Sequence, residues 1–334
     1  MKYIYNLTIL IIISSCFISC SEVTVDGTTG DGNYYNWTVI PVSMDSVSRI
    51  AAANDDVAFI AGNSSYKVTG SNIERINFQD STFHCGGVEA FDKNNAVFWG
   101  STGLGTSPLV FKIYDTGVFT TYNITAEYPS YKIIFITKNK FYFSNFYGYY
   151  LFDNGTVTEL TLPPSEIIRG MGKVGDVIYL FTSTSSTFSE DRVHRIINNS
   201  PLLVSSVPSQ GRLQFLNSDV IRVTQDSAQH RLDYFDGANW TNFFSYSTPA
   251  NTNFISYLAG NTRAQFLSIW FDQNSVAYCD VYSANTKYGQ TNFPSSAVTP
   301  PNLLMVRTVS NYADNSYYMI DRYRATKILK GKLK

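Results

Sequence analysis

Short runs of alternating apolar and polar residues recur along the chain, each bounded by a turn rich in Asn, Asp or Gly. Alternation with a period of two indicates half-buried β-strands. No stretch after residue 20 shows the three-to-four-residue apolar spacing of an amphipathic helix. The pattern therefore predicts an all-β chain with almost no helix.

The apolar runs that follow the turns can be aligned with one another. Seven copies are found, beginning at Asp56, Asn95, Asn139, Asp176, Asp219, Arg263 and Asn315. Their spacing averages about 43 residues, which is a period typical of repeat folds such as β-propellers.

Each repeat contains four predicted strands. In the fifth repeat they are "RLQFLN", "DVIRVTQ", "HRLDYF" and "WTNFFSY", and the pair Asp236 and Gly237 marks the last hairpin. The stretches Asp115–Gly117 and Asp153–Gly155 mark the same hairpin in the second and third repeats. Four strands in a unit of about 40 to 50 residues predict the blade of a β-propeller.

The seventh repeat contains three predicted strands, and the fourth is predicted near the start of the chain. The stretch "DGNYYNWTVIPV" resembles "DGANWTNFF", the outer strand of the fifth repeat. We predict that Trp37–Val42 pairs with the C-terminal strand and closes a seven-bladed propeller, a single domain over residues 34–334. An N-terminal strand packed elsewhere and a count of six or eight blades are the alternatives.

Composition agrees with this picture and excludes one function class. Aromatic residues are 15% of the chain and charged residues 15%, and the net charge is −1. A nucleic-acid-binding protein normally has a clear basic excess, so we predict no nucleic-acid partner.

The tail "RATKILKGKLK" holds five of the 25 basic residues. We interpret it as an edge strand protected by lysines, with a polyanion site as the alternative.

The first twenty residues, "MKYIYNLTILIIISSCFISC", have the features of an export signal. Their apolar core, Leu7–Ile13, is too short to span a bilayer. The sequence "FISC" followed by "SE" resembles the signal of bacterial lipoproteins, in which the Cys becomes the lipidated first residue. The resemblance implies a palmitate-type anchor on Cys20, with Cys16 as the competing site, and an outer-membrane lipoprotein facing the periplasm or the surface. An ordinary cleaved signal is the alternative.

Residues 21–33 then form a flexible tether between the lipid anchor and the propeller domain. Only Cys85 and Cys279 remain after the signal. One possible pair is too few for a disulfide scaffold, so we predict two unpaired, largely buried thiols.

No motif of catalytic or cofactor chemistry is found. The histidines fall in three repeats without the paired spacing of metal ligands, and they are His84, His194 and His230. Ser101–Pro108 contains glycines but leads into no helix that would bind a phosphate. We predict neither a metal nor a cofactor. The "YFDGxxW" rhythm resembles propellers of bacterial envelope and sensor proteins, which implies a fold rather than an activity.

One charged pattern recurs at the predicted innermost strands. Basic residues lie about seven positions before the aligned runs, and they are Arg49, Lys132, Arg169, Arg212 and Arg307. The second and sixth repeats have Val88, next to Glu89, and Ser256 there. Such a ring at the mouth of the central channel suits carboxylate, sulfate or phosphate groups. Alternatively, these side chains cap strands or pair with carboxylates such as Glu89 and Glu166.

The sequence thus predicts a monomeric binding module in the cell envelope. Its channel mouth would bind an anionic glycan or a protein partner, and residues 101–108 and 182–190 would form the walls. Tyr147 and Tyr149 would stack on sugar rings or pack between blades. A scaffold subunit of an envelope complex and a polysaccharide-degrading enzyme are the alternative functions.

Overall fold

The computed structural model describes residues 35–41, 47–103, 108–126, 129, 132–184, 189–225, 229–247, 252–272, 277–283, 286–291, 306–312, 316–321 and 327–333. All of them belong to the unit Asn33–Lys334. The predicted signal and tether, with Cys16 and Cys20, lie outside these ranges. Nothing within the ranges forms a helix long and apolar enough to cross a membrane.

The described residues form seven four-stranded sheets, which we number I to VII. Strand β1 is Tyr35–Pro41. Sheet I contains β2 (Val47–Ala52), β3 (Val57–Gly62), β4 (Ser65–Thr69) and β5 (Asn72–Ile76). Sheet II contains β6 (His84–Asp92), β7 (Asn95–Ser101), β8 (Leu109–Asp115) and β9 (Val118–Ile124). Sheet III contains β10 (Ile134–Thr137), β11 (Lys140–Ser144), β12 (Tyr149–Asp153) and β13 (Thr156–Leu160).

The second half of the chain continues in the same way. Sheet IV contains β14 (Glu166–Val174), β15 (Val177–Thr184), β16 (Glu190–Ile197) and β17 (Ser200–Pro208). Sheet V contains β18 (Arg212–Phe215), β19 (Val220–Gln225), β20 (Gln229–Phe235) and β21 (Trp240–Ser247). Sheet VI contains β22 (Thr252–Thr262), β23 (Gln265–Asp272), β24 (Ala277–Ser283) and β25 (Thr286–Thr291). Sheet VII contains β26 (Val306–Tyr312), β27 (Ser316–Asp321), β28 (Lys327–Leu333) and β1.

In sheets I to VI the four strands lie side by side in chain order, whereas sheet VII joins the two ends of the domain. Its order is β1-β28-β27-β26. Strand β1 runs antiparallel to β28, with pairs from Tyr35↔Leu333 to Pro41↔Lys327. The paired segment begins two residues before the predicted Trp37.

The last hairpins of sheets II and III turn where the sequence predicts. Thr116 and Gly117 have φ values of 51° and 94°, and Asn154 and Gly155 have 49° and 96°. Two successive left-handed residues match the twist of the flanking strands, and glycine adopts this conformation without steric cost. The Asp-Thr-Gly and Asp-Asn-Gly stretches therefore fix the register of β8 with β9 and of β12 with β13.

The core consists of apolar clusters between consecutive sheets. Sheets II and III, for example, share a cluster that includes Phe111, Phe141 and Phe152. Similar clusters join VII to I, I to II, III to IV, IV to V and V to VI. The outer strands contribute little to these clusters, and β5 and β9 are mostly exposed or half-buried. Burial is greatest in second and third strands such as β3, β11 and β12, and it is low in the outer strands.

A large side chain recurs three residues after the start of each aligned run, in the second strand of every sheet. These side chains are Phe59, Phe98, Tyr142, Tyr179, Arg222, Phe266 and Tyr318. The three tyrosines donate hydrogen bonds to turns of the following sheet. The Tyr142 hydroxyl reaches Asn199 Oδ1 at 2.6 Å, and the Tyr318 hydroxyl reaches the carbonyl of Asp55 at 3.0 Å. Tyr179 contacts the carbonyl of Gly237 at 3.5 Å.

Two predictions about buried residues have clear outcomes. Cys85 is a free, buried thiol, as predicted, and burial raises its pKa to about 12. The Cys279 side chain lies outside the described part. Of the two roles given for Tyr149, the structure agrees with packing, because its side chain is fully buried between sheets III and IV and is not exposed for stacking on a sugar ring. Tyr147 is 75% exposed.

Candidate functional site

The inner strands share an irregularity near their starts. The register between the first and second strands shifts by one residue in sheets I, II, IV, VI and VII. The residues skipped by the pairing at these shifts are Ser48, Gly86, Arg169, Ser256 and Arg307. A bulge of this kind re-aims the side chains beside it. In these five sheets it lies within two residues of the position that the seven-residue spacing singled out.

Arg49 is paired with a carboxylate of the next sheet. Its Nη2 atom lies 2.9 Å from Oε2 of Glu89 on β6, and its guanidinium is 5.4 Å from the ring centre of Trp99. This is the pairing with Glu89 that the sequence offered as the alternative to ligand binding. Arg49 therefore links sheets I and II.

Arg169 is engaged at both ends of its guanidinium group. Its Nη1 atom donates to Asp191 Oδ1 at 2.6 Å and to Ser209 Oγ at 3.0 Å, and Nη2 donates to the carbonyl of Gly211 at 3.2 Å. The carboxylate partner is Asp191 rather than Glu166. These bonds tie β14 to β16 and to the segment that leads into β18, so Arg169 links sheet IV to sheet V.

The other two arginines of the predicted ring are described by their positions in the inner strands. Arg212 is exposed at the first position of β18, where it pairs with Val223 across the ladder. Arg307 lies in β26, and its side chain is outside the described residues. Ligand binding by Arg49, Arg169, Arg212 and Arg307 stays a prediction.

Lys132 reaches across sheets. It lies just before β10 of sheet III, and its Nζ atom donates to Asn217 Oδ1 of sheet V at 2.9 Å. Burial lowers the pKa of Lys132, Glu89 raises it, and the positive charges of Arg49 and Lys173 lower it further. Charged groups from sheets I, II, III and IV therefore interact at the inner strands.

Sequence reasoning missed Lys173 as a member of this group. Lys173 lies near the end of β14, and its Nζ atom donates to the carbonyl of Phe135 on β10 at 3.1 Å. Lys173 lies three positions before Asp176, and it was missed because only positions near strand starts were compared. The inner-strand cluster comprises Arg49, Glu89, Lys132 and Lys173.

A second polar cluster is buried in sheet IV, on the side that faces sheet III. Glu166 Oε2 accepts from Thr182 Oγ1 at 2.6 Å and lies 2.8 Å from His194 Nε2. Glu166 Oε1 accepts from Arg192 Nη1 at 2.8 Å. Burial lowers the pKa of His194, although Glu166 opposes this shift.

This second cluster lacks the geometry of a nucleophile relay. The Nε2 atom of His194 contacts both Glu166 and Thr182, at 2.8 and 3.1 Å, whereas a Ser-His-Asp relay uses the two ring nitrogens separately. The other ring nitrogen, Nδ1, is buried and has no hydrogen-bond partner among the residues that the structure describes. The arrangement suits a structural network that joins β14, β15 and β16.

Two further features bear on binding. Phe146 and Tyr147, in the turn between β11 and β12, are 52% and 75% exposed. The carbonyl of Phe146 accepts from the amide of Ile168, which fixes this turn against β14.

In the ranges that the structure describes, no group of three or more His, Cys, Asp or Glu side chains is arranged to hold a metal ion.

Comparison with known proteins shows the fold. No family model matches the chain, and no curated protein sequence matches it. Solved β-propeller structures are similar to it. "YCF48 bound to D1 peptide" has a TM-score of 0.62 and 13% identity, covering 90% of this chain and 98% of that chain. The Cps50 (Swd1) β-propeller domain of Myceliophteria thermophila has a TM-score of 0.61 and 8% identity, covering 90% and 100%.

A chain of the "Mitotic Checkpoint Complex" has a TM-score of 0.62 and 9% identity, covering 91% of this chain and 97% of that chain. At identities this low the likeness shows the fold alone. The chain is therefore an all-β protein with a β-propeller fold built from four-stranded antiparallel sheets.

Proposed function

We propose that the seven sheets are the blades of one closed ring, with β1 as the outer strand of the last blade. Apolar clusters join each sheet from VII through I to VI. Strand β22 of sheet VI contacts β26 of sheet VII, and β2 of sheet I contacts β26 and β27. Each sheet thus has two neighbours, and closure leaves no unpaired end to the series.

We further propose that the protein is a cell-envelope lipoprotein whose channel face binds an acidic glycan or protein partner. The observation that carries this proposal is the inner-strand cluster, where Arg49 contacts Glu89 at 2.9 Å and the charges of Arg49, Glu89 and Lys173 all act on Lys132. An excess of positive charge in a concave site attracts anions and orients their approach. Two of the solved neighbours are named as a peptide complex and an assembly, which agrees with a binding role.

The test compares binding of the full chain and a ring variant to immobilised acidic polysaccharides. The variant replaces Arg49, Lys132, Arg169 and Arg212 by Ala, and Lys93→Ala in the exposed turn between β6 and β7 is the matched control. We expect the ring variant to bind heparin and polygalacturonate at least about tenfold more weakly, because each lost charge-assisted contact weakens binding. If the ring and control variants bind equally, the four basic residues do not bind the acidic polysaccharide.

A scaffold role is the second candidate, because the hairpin of β16 and β17 exposes apolar side chains. Ile197, Leu202 and Leu203 are all large exposed hydrophobic residues, and β17 is an outer strand. An exposed apolar patch beside an outer strand is a typical surface for a protein partner. Replacement of Leu202 and Leu203 by Ser distinguishes the candidates, since it removes a scaffold contact but leaves binding to acidic polysaccharides intact.

A further inference from the structure

Two half-buried lysines, Lys132 just before β10 and Lys173 on β14, have no carboxylate partner among the described residues. Lys132 donates to the amide oxygen of Asn217, and Lys173 donates to the main-chain carbonyl of Phe135. Within the described ranges neither ammonium group forms an ion pair. By contrast, the half-buried Arg49 and Arg169 each have a carboxylate oxygen within 2.9 Å.

The electrostatic surroundings of Lys132 are unfavourable for its charge. Burial lowers its pKa, and the nearby positive charges of Arg49 and Lys173 act in the same direction. Glu89 is the opposing charge, and it is already bound to Arg49 at 2.9 Å. Partly desolvated charges of one sign are costly to hold together unless an opposite charge joins them.

Both lysines retain donor capacity for a ligand. An ammonium group has three N–H donors, and among the described residues each of these two groups donates one hydrogen bond. Ammonium groups act as compact point charges and bind oxyanions of any shape, whereas a guanidinium group selects planar, bidentate partners. The guanidinium groups of Arg49 and Arg169 already contact Glu89 and Asp191.

We propose that one oxyanion, a carboxylate, sulfate or phosphate group, is bound by the ammonium groups of Lys132 and Lys173. Asn217 holds the Lys132 side chain across the inner strands, and the carbonyl of Phe135 holds Lys173. The site deepens the proposed function, on which it rests, because it names the group that the channel face recognises. A uronic acid, a sulfated or phosphorylated group and an acidic side chain all present this chemistry.

Thermal unfolding of the full chain with small anions tests the site. Sodium sulfate, phosphate, acetate and glucuronate are compared with chloride at equal ionic strength, at about 10 mM, where general salting effects are small. A ligand that binds only the folded state raises Tm by mass action. We expect at least one oxyanion to raise Tm in the wild type and in Lys93→Met, and the shift to disappear in Lys132→Met/Lys173→Met.

Calorimetric titration of the most stabilising anion gives a second readout. Each single variant, Lys132→Met or Lys173→Met, is expected to raise the dissociation constant about tenfold. This is the effect of losing one charge-assisted hydrogen bond. Methionine keeps the length and apolar stem of lysine, and Lys→Gln variants provide a polar alternative if the Met variants unfold. The relative effects of glucuronate, sulfate and phosphate show which oxyanion the site prefers.

The outcomes separate this site from the broader proposal. No Tm shift in the wild type, or an equal shift in the double variant, would overturn the lysine site even if acidic polysaccharides still bind. A specific anion shift without any binding of acidic polysaccharide or protein would support the lysine site and contradict the proposed function.

Discussion

At the residue scale, His194 shows how a titratable side chain is held neutral inside a sheet. It is buried beside Glu166 and Arg192, and no acceptor for its Nδ1 atom is found in the described part of the chain. A proton on Nδ1 would place an unsatisfied donor in the interior, which is costly. Burial accordingly lowers the pKa of His194 in the folded protein.

This lowered pKa predicts a loss of stability in mild acid. The unfolded chain takes up a proton on His194 near pH 6.5, whereas the folded protein does so only at lower pH. The free energy of unfolding therefore decreases as the pH falls below about 6.5. Urea unfolding at pH 7.5 and 5.5 measures the difference, and His194→Gln should reduce it, because Gln still donates to Glu166 but does not titrate.

The matched control is His84→Gln, which removes an exposed histidine on β6. That variant should keep the wild-type difference between the two pH values. If His194→Gln and the wild type lose stability equally on acidification, protonation of His194 is not the cause of the loss. The comparison uses the difference between pH values, so a uniform loss of stability in either variant does not affect it.

At the element scale, the pairing of β1 with β28 joins the ends of the domain. Seven residues of β1 form the ladder, and Ile40 is buried in the cluster between sheets VII and I. Lys330 of β28 reinforces the same boundary through Asp56, at 2.7 Å. Removal of β1 would expose the ladder of β28 and part of this cluster.

Two deletions test the contribution of β1. Deletion of residues 21–42 removes the strand, and deletion of 21–32 removes only the segment before it. We expect the longer deletion to lower the free energy of unfolding by at least about 3 kcal/mol, since it loses the burial of Ile40 and a row of hydrogen bonds. It should also aggregate, because it leaves an unpaired edge. Identical melting curves for the two deletions would contradict the proposed closure.

The strands were predictable from sequence where the signals were local. The turns at Gly117 and Gly155 specify their own hairpins, and the alternation of apolar residues sets which face is buried. The inner-strand cluster was only partly predictable. Arg49 follows the repeat, but Lys173 joins the cluster through contacts between sheets, and no periodicity in the sequence indicates that position.

Partners of the charged groups were the least predictable feature. Glu89, the partner of Arg49, was among the carboxylates named from the sequence, whereas Asp191, the partner of Arg169, was not. A bulge at Arg169 changes which face of the strand its side chain uses, and sequence alternation alone does not show where a bulge occurs. Sequence alternation likewise does not show the bulges at Ser256 and Arg307.

At the scale of the whole molecule, the proposed lipid anchor predicts a covalent change at Cys20. Metabolic labelling with a palmitate analogue in a bacterial host, followed by mass spectrometry of the N-terminal peptide, should find the lipid on Cys20. Cys20→Ser should then release the protein from the membrane fraction. The variant Cys16→Ser is the control and should remain bound. Lipid on Cys16, or a free mature N-terminus, would contradict the assignment.

The position of β1 also sets an order for assembly. The strands that pair in sheet VII are about 300 residues apart in the chain, from Tyr35 to Leu333. Sheets I to VI are built from consecutive strands and form by local pairing, which is fast. Among the described strands β1 is synthesised first, and its partner β28 is synthesised after all the others. A growing chain therefore carries β1 as an unpaired strand throughout translation, and a chain truncated before β28 never satisfies it.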